Sequence, residues 1–281
     1  MDRRRAQLGL QQLSATNLVT GRRLMVVLKS YYDGGNQADS LQYKILTLGG
    51  LAGNDKGWPL FESSWKRVLE RHHADFLHTT DAVALQKYFS KSKGWSRDRV
   101  NRLIEGCAGV LEHCIDWGIR PMTVSIILED YKKVLARIPD LLPVEYIAAT
   151  HSVSLSILYG IVEFGQDLQC EFHFDRGEPF YGHFLDAWNS KLNRKGTYWD
   201  LIASVGQADM KKVPALQAAD LLAWCVNRAH EDNKIKLPWQ ERILNIHRDK
   251  GWFDEKLLSK PLLENLKRVA ECRFPRRKPM R

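Results

Sequence analysis

The sequence predicts an α/β fold: a mixed sheet flanked by helices, followed by a helical C-terminal extension. Three observations carry that expectation. LMVVLKSYY (24–32) and YKILTLGGLAG (43–53) read as two strands joined through turn residues, the pattern of a hairpin. MTVSIILED (122–130), LQCEFHFD (168–175) and a segment near Tyr198–Val205 add strands separated by helical stretches, the alternation that builds a sheet with helices on its faces. VPALQAADLLAWCVNRAHE is the clearest helix, with Pro214 suited to its first turn and Val213 held extended before it.

The remaining elements follow in order. Residues 1–23 are a loose lead-in to a main domain over 24–234, and 235–281 form the extension, ending on a helix over 262–272 and a basic tail. Asp33-Gly34-Gly35-Asn36 has turn chemistry, because glycine and asparagine tolerate positive φ. Phe61, Trp65, Val68 and Leu69 recur at helical spacing and predict a helix over Leu60–His72. FLHTTD (76–81) is a short extended piece, followed by helical segments around 82–90 and 97–117. Pro143 opens and Gly165 stops a long helix that is apolar on most sides. A further helix is predicted over 179–193.

Lysine plus arginine number 42 against 33 acids, a formal charge of +9, and part of the excess sits at the chain ends. Arg3, Arg4, Arg5, Arg22 and Arg23 open the chain, and Arg273, Arg276, Arg277, Lys278 and Arg281 close it. Such a balance suits a polyanionic partner such as nucleic acid, and equally suits basic tails that aid solubility. The five cysteines are scattered and form no C-x-x-C pair, so neither a disulfide framework nor a cysteine-rich zinc site is expected. MDRRRAQLGL lacks the apolar stretch of a signal peptide and no run of eighteen apolar residues exists, which predicts a cytoplasmic protein with no membrane segment.

Chemistry concentrates on three aspartates. Asp33 ends the first strand, Asp175 ends a later one, and Asp220 lies on the 214–230 helix. On that helix Gln217, Asp220 and Trp224 share a face beside the apolar stripe of Ala215, Ala219, Leu222 and Val226. Carboxylates gathered from separate elements repel unless a cation neutralises them, and a hard divalent ion is the natural one. Two such ions activate a water and stabilise the leaving oxygen in phosphodiester hydrolysis. Plainer readings stand beside this: Asp33 as a turn former, Asp175 as a cap for the next helix, Asp220 as an arginine partner. Asp220 fits the plain reading least, since aspartate is a poor helix former amid Ala-Ala-Leu-Leu-Ala-Trp.

The order YYDGGN, LTLGGLAG, FLHTTD, FHFDRGE and VPALQAADLLAW resembles the bacterial domain-of-unknown-function 3800 family over roughly residues 24–230, most specifically at Leu216-Gln217-Ala218-Ala219-Asp220. The resemblance implies a ribonuclease-H-like fold and a suspected metal-dependent nuclease activity. Asp33 then takes the place of the family's first-strand aspartate, Asp175 that of the aspartate closing the middle strand, and Gln217 with Asp220 the final helix motif. His78 and Asp81 match the family's histidine-to-aspartate stretch. On this basis Asp33, Asp175 and Asp220 are the expected catalytic residues and ligands of Mg²⁺ or Mn²⁺, with Gln217, His78 and Asp81 expected at the substrate. The family commonly reads Asp-Glu-Ser-Gly where this chain reads Asp33-Gly34-Gly35-Asn36, so Gly34 stands where an acid is usual. Glu129, Asp130 and Glu178 are the carboxylates open to replace it.

The expected function is thus a divalent-metal-dependent nuclease or phosphodiesterase acting on nucleic acid. The alternative is a non-catalytic nucleic-acid- or protein-binding module that keeps the fold without a complete metal site. A hydrolase of small phosphorylated molecules is a third reading and would need a closed pocket. His72-His73 and His78-x-x-Asp81 lack an established zinc spacing, and Gly49-Gly50-x-x-Gly53 reads as a close-packed strand rather than a phosphate loop.

Overall fold

The computed structural model describes residues 26–34, 44–135, 143–165, 167–178, 181–189, 198–232, 237–250, 254–258 and 260–273. The lead-in, the basic residues Arg3, Arg4, Arg5, Arg22, Arg23, Arg276, Arg277, Lys278 and Arg281, and the turn residues Gly35 and Asn36 lie outside the described residues.

Six strands build one mixed sheet: β1 (Val26–Gly34), β2 (Ile45–Asn54), β3 (Ile119–Ile127), β4 (Leu168–Asp175), β5 (Ile202–Ala208) and β6 (Asp254–Leu258). Their spatial order is β5-β4-β1-β2-β3-β6. β2 runs antiparallel to both β1 and β3, while β4 pairs parallel with β1, β5 with β4, and β6 with β3. The helices are α1 (Trp58–Arg71), α2 (Thr79–Ala84), α3 (Arg97–Cys114), α4 (Leu128–Leu135), α5 (Val144–Phe164), α6 (Tyr181–Asn189), α7 (Pro214–Asp232), α8 (Pro238–Lys250) and α9 (Lys260–Arg273). The expected α/β class with a helix-flanked mixed sheet is what forms.

Two apolar cores sandwich the sheet. On one face α1, α3, α7 and α8 supply Phe61, Trp65, Leu103, Leu222 and Trp239 against Leu51 and Ile119. On the other, α4 and α5 supply Val134, Ile147, Val153 and Ile157 against Leu28, Tyr32, Val124 and Phe172. Alternation along each strand divides its side chains between these two layers. Helix α5 is long and apolar enough to cross a membrane, yet 44% of that stretch is buried, with Val144, Ile147, Ala148, Val153 and Ile157 in the second core. Gly165, at φ +83°, ends it in the left-handed region that glycine enters without penalty.

Three expectations need correction. The first strand does not stop at Tyr32: Asp33 pairs with Gly49 and Gly34 with Leu48, so the aspartate stands inside the ladder. The third strand ends at Ile127, and Glu129 and Asp130 lie in the first turn of α4, where acidic side chains meet the positive end of the helix dipole. The C-terminal extension is not purely helical. It contributes β6 to the sheet, while Trp239, Ile243 and Ile246 of α8 join one core and Leu258 and Leu263 the other.

Helix α7 sits on the middle of the sheet, against β1 and β2. Gly49 makes this possible: a Cβ there would fall on the Ala219 carbonyl oxygen and lie 2.8 Å from the Ala223 nitrogen. On the opposite face a Cβ at Gly50 would strike the ring of Tyr32, whose hydroxyl donates to the Ser152 carbonyl at 2.9 Å. The Gly-Gly pair therefore serves close packing on both faces. Gly49→Ala is expected to lower stability by about 1–3 kcal/mol in urea unfolding, as overpacking of a tight contact does. Gly182→Ala, on a helix position with open space around it, should leave stability unchanged or raise it. Equal losses at the two positions would contradict the close helix–strand approach.

Candidate functional site

Parallel strands joined by helical crossovers point the same way, so their carboxyl ends collect on one edge of the sheet. β1 and β4 are in register from Val26 against Leu168 to Tyr32 against Phe174, so Asp33 and Asp175 stand as neighbours near the carboxyl ends of their strands. Tyr32 and Phe174 belong to the α5-side core, and alternation turns the next residue of each strand toward α7. From α7, Asp220 comes down to the same edge. The chain leaves β1 toward β2 on one side while β4 lies on the other, a topological switch point of the kind at which open α/β sheets bind ligands.

Asp33 and Asp220 are 7% and 5% exposed. Burial pushes the Asp33 carboxyl well above its ordinary range, and the charges of Asp220, Glu178 and Asp175 push it further, against the pull of the Gly34 N–H. Asp220 is likewise raised by burial, against the pull of the His78 charge and of the Thr79 N–H, which donates to its Oδ2 at 2.6 Å; Asp175 adds a smaller upward push. Asp175 is raised by burial while the backbone N–H groups of Met210 and Arg176 hold it down, Met210 at 2.9 Å. The structure thus brings the three aspartates into mutual electrostatic contact at one edge of the sheet.

Glu178 joins them. The turn after β4 passes through Gly177 at φ +106° and delivers the Glu178 carboxylate to β1, where the Gly34 N–H donates to Oε1 at 2.8 Å. Burial pushes Glu178 up to about 7, partly offset by the Gly34 N–H and reinforced by Asp175 and Glu145. Of the three acids open to replace a carboxylate at position 34, Glu178 is the one beside it. Glu129 is exposed and paired with Lys133 on α4. The sequence shows Glu178 only as a turn residue, since nothing local says that the turn folds back over the first strand.

The residues expected at the substrate divide. His78 is partly exposed, with Nδ1 at 2.9 Å from Asp81 Oδ2, and Lys87 Nζ stands 3.1 Å from the other Asp81 oxygen. Its charge acts on both Asp220 and Asp175, so the His78–Asp81 pair borders the carboxylates. Gln217 takes a different part from the one expected. It is 1% exposed, its Oε1 accepts from Trp65 Nε1 and from the Leu77 N–H, each at 2.9 Å, and its Nε2 donates to the Met210 carbonyl at 3.1 Å. Gln217 therefore fastens α1, the segment before α2 and the loop before α7 together, which positions the groups that hold Asp175 and Asp220.

In donor chemistry the site is all hard oxygen, suited to Mg²⁺ or Mn²⁺ rather than to zinc. Among the described residues, no three His, Cys, Asp or Glu side chains stand as a ready-made ligand set. The acids suit a cation by charge and donor type. Comparison of the chain with models of protein families, with curated proteins and with solved structures finds no match in any of the three.

Two outcomes are expected. Gln217→Leu leaves the Trp65 and Leu77 donors without an acceptor and should cost roughly 2–5 kcal/mol in chemical unfolding, against little change if the amide were a substrate contact. The second concerns pH. A carboxyl that titrates higher folded than unfolded keeps extra protons in the native state, so stability falls as pH rises through the folded pKa. Metal-free protein should therefore melt at a lower temperature at about pH 8 than at about pH 5, and Glu178→Gln should flatten the fall. An unaltered slope in that variant would remove Glu178 from the cluster.

Proposed function

We propose that the chain is a divalent-metal-dependent nuclease or phosphodiesterase of the ribonuclease-H-like class that acts on nucleic acid. The single observation that carries this reading is the concentration of Asp33, Asp175, Asp220 and Glu178 at the carboxyl ends of neighbouring strands, where each acid is pushed toward its protonated form. Such a cluster is costly alone and becomes favourable with a cation. The strand order supports the fold reading: a central β1, an antiparallel β1-β2-β3 meander on one side, and parallel β4 and β5 on the other.

Asp33, Asp175 and Asp220 would hold Mg²⁺ or Mn²⁺. Bound there, the ion would polarise a phosphoryl oxygen and lower the pKa of an attacking water. The chain's own contributions are fixed: Met210 and Thr79 N–H groups orient Asp175 and Asp220, and Gln217 fixes the segments that carry those donors. His78, oriented through Nδ1 by Asp81, stands beside the aspartates as a group able to move a proton at the leaving oxygen. Exposed Lys87 and Lys211 lie next to these residues and, with the net charge of +9, suit a phosphodiester backbone.

The second reading is a nucleic-acid- or protein-binding module without catalysis, and Gly34 and the unformed ligand set favour it. One experiment separates the two. Purified chain is incubated with single- and double-stranded DNA and RNA in Mn²⁺ or Mg²⁺, beside Asp220→Asn, which keeps an acceptor for Thr79. Metal-dependent cleavage should fall by at least about a hundredfold in the variant. No cleavage of any substrate by folded wild type would leave the binding module.

A further inference from the structure

We propose that Glu178 is a metal-ligating member of this site and that its carboxylate occupies the slot a side chain at position 34 would fill. The inference rests on the metal-site reading of Asp33, Asp175 and Asp220 and adds to it a residue from a different strand turn.

Four observations converge. A Cβ built on Gly34 would lie 2.8 Å from Glu178 Oε1 and 3.4 Å from Oε2, so the carboxylate sits where the first atom of a side chain at 34 would go. The Gly34 N–H holds it there at 2.8 Å. Its backbone is anchored, with the Arg176 N–H on the Ala208 carbonyl at 2.9 Å and the Tyr181 N–H on the Glu178 carbonyl at 3.2 Å. The Glu178 charge acts on Asp33, and the charges of Asp175 and of Glu145, from the first turn of α5, act on Glu178.

Gly34 is not among the glycines with positive φ, so the backbone there accepts any residue. What bars a side chain is the Glu178 carboxylate itself. Positions 34 and 178 are then two places from which the chain can supply one carboxylate to the same point, and only one can do so at a time. A glycine directly after the strand aspartate is, on this view, the partner of a glutamate delivered from the next strand over.

The test uses the full chain and Mn²⁺ alone, with binding read by calorimetry and by the paramagnetic signal of free Mn²⁺. Glu178→Ala should weaken Mn²⁺ binding by about tenfold or more. Gly34→Glu in the wild-type background should also weaken it, because two carboxylates then contend for one space. Gly34→Glu combined with Glu178→Ala should recover most of the affinity. Near-UV circular dichroism checks the fold, and Glu178→Gln, which keeps an acceptor for the Gly34 N–H, serves if the alanine variant is unstable. Wild-type affinity in Glu178→Ala, with binding lost in Asp220→Asn, would overturn the inference and leave the metal site standing. A folded double variant as weak as Glu178→Ala would overturn the shared slot. No Mn²⁺ binding by the wild type would instead overturn the metal-site reading itself.

Discussion

Helix α7 can lie on β2 because Gly49 has no side chain, and the depth of that contact sets the height of everything α7 carries. With Ala219 and Ala223 resting on the strand, Asp220 reaches the ends of β1 and β4 and Gln217 reaches Trp65 on α1. Lift the helix by the width of a methyl group and both side chains lose their partners together. Core packing and site geometry are in this respect one problem. The interior transmits such a shift because it is close-packed rather than fluid.

The site is also a balance of opposed electrostatic terms. Burial and mutual repulsion drive the four acids toward neutrality, while backbone N–H groups from Gly34, Thr79, Arg176 and Met210 favour their charged forms. Those donors are weak dipoles facing full charges, so they orient the carboxylates without neutralising them. What results is a cluster of largely buried acids next to His78 and its Asp81 partner.

Much of this was legible in the sequence, and the legible part has a common cause. Asp33, Asp175 and Asp220 stood out because local patterns, alternating strands ending on acids and an aspartate out of place in a helix, report where residues sit along an element. The strands and helices that carry them follow for the same reason. Long-range relations were not legible. Glu178 reads as a turn residue because its meeting with Gly34 depends on β4 pairing beside β1. Gln217 reads as a ligand contact because the donors to its Oε1, from Trp65 and Leu77, come from segments distant in sequence. β6 escaped because DEKLL is short and does not alternate; its identity as a strand comes from β3 alongside it. Glu129 and Asp130 were placed on a strand end because the change from strand to helix at Leu128 has no breaker residue to mark it.

That last strand has a consequence for how the chain assembles. β3 is synthesised in the first half of the protein, yet the neighbour that covers its outer edge arrives near the C-terminus. Until then a row of unpaired backbone donors and acceptors is open to any other extended chain. The meander of β1, β2 and β3 can form early from nearby segments, whereas both flanks of the sheet wait for distant sequence. Folding is therefore paced by its long-range strand pairings, and a nascent or truncated chain spends that interval with an adhesive edge exposed.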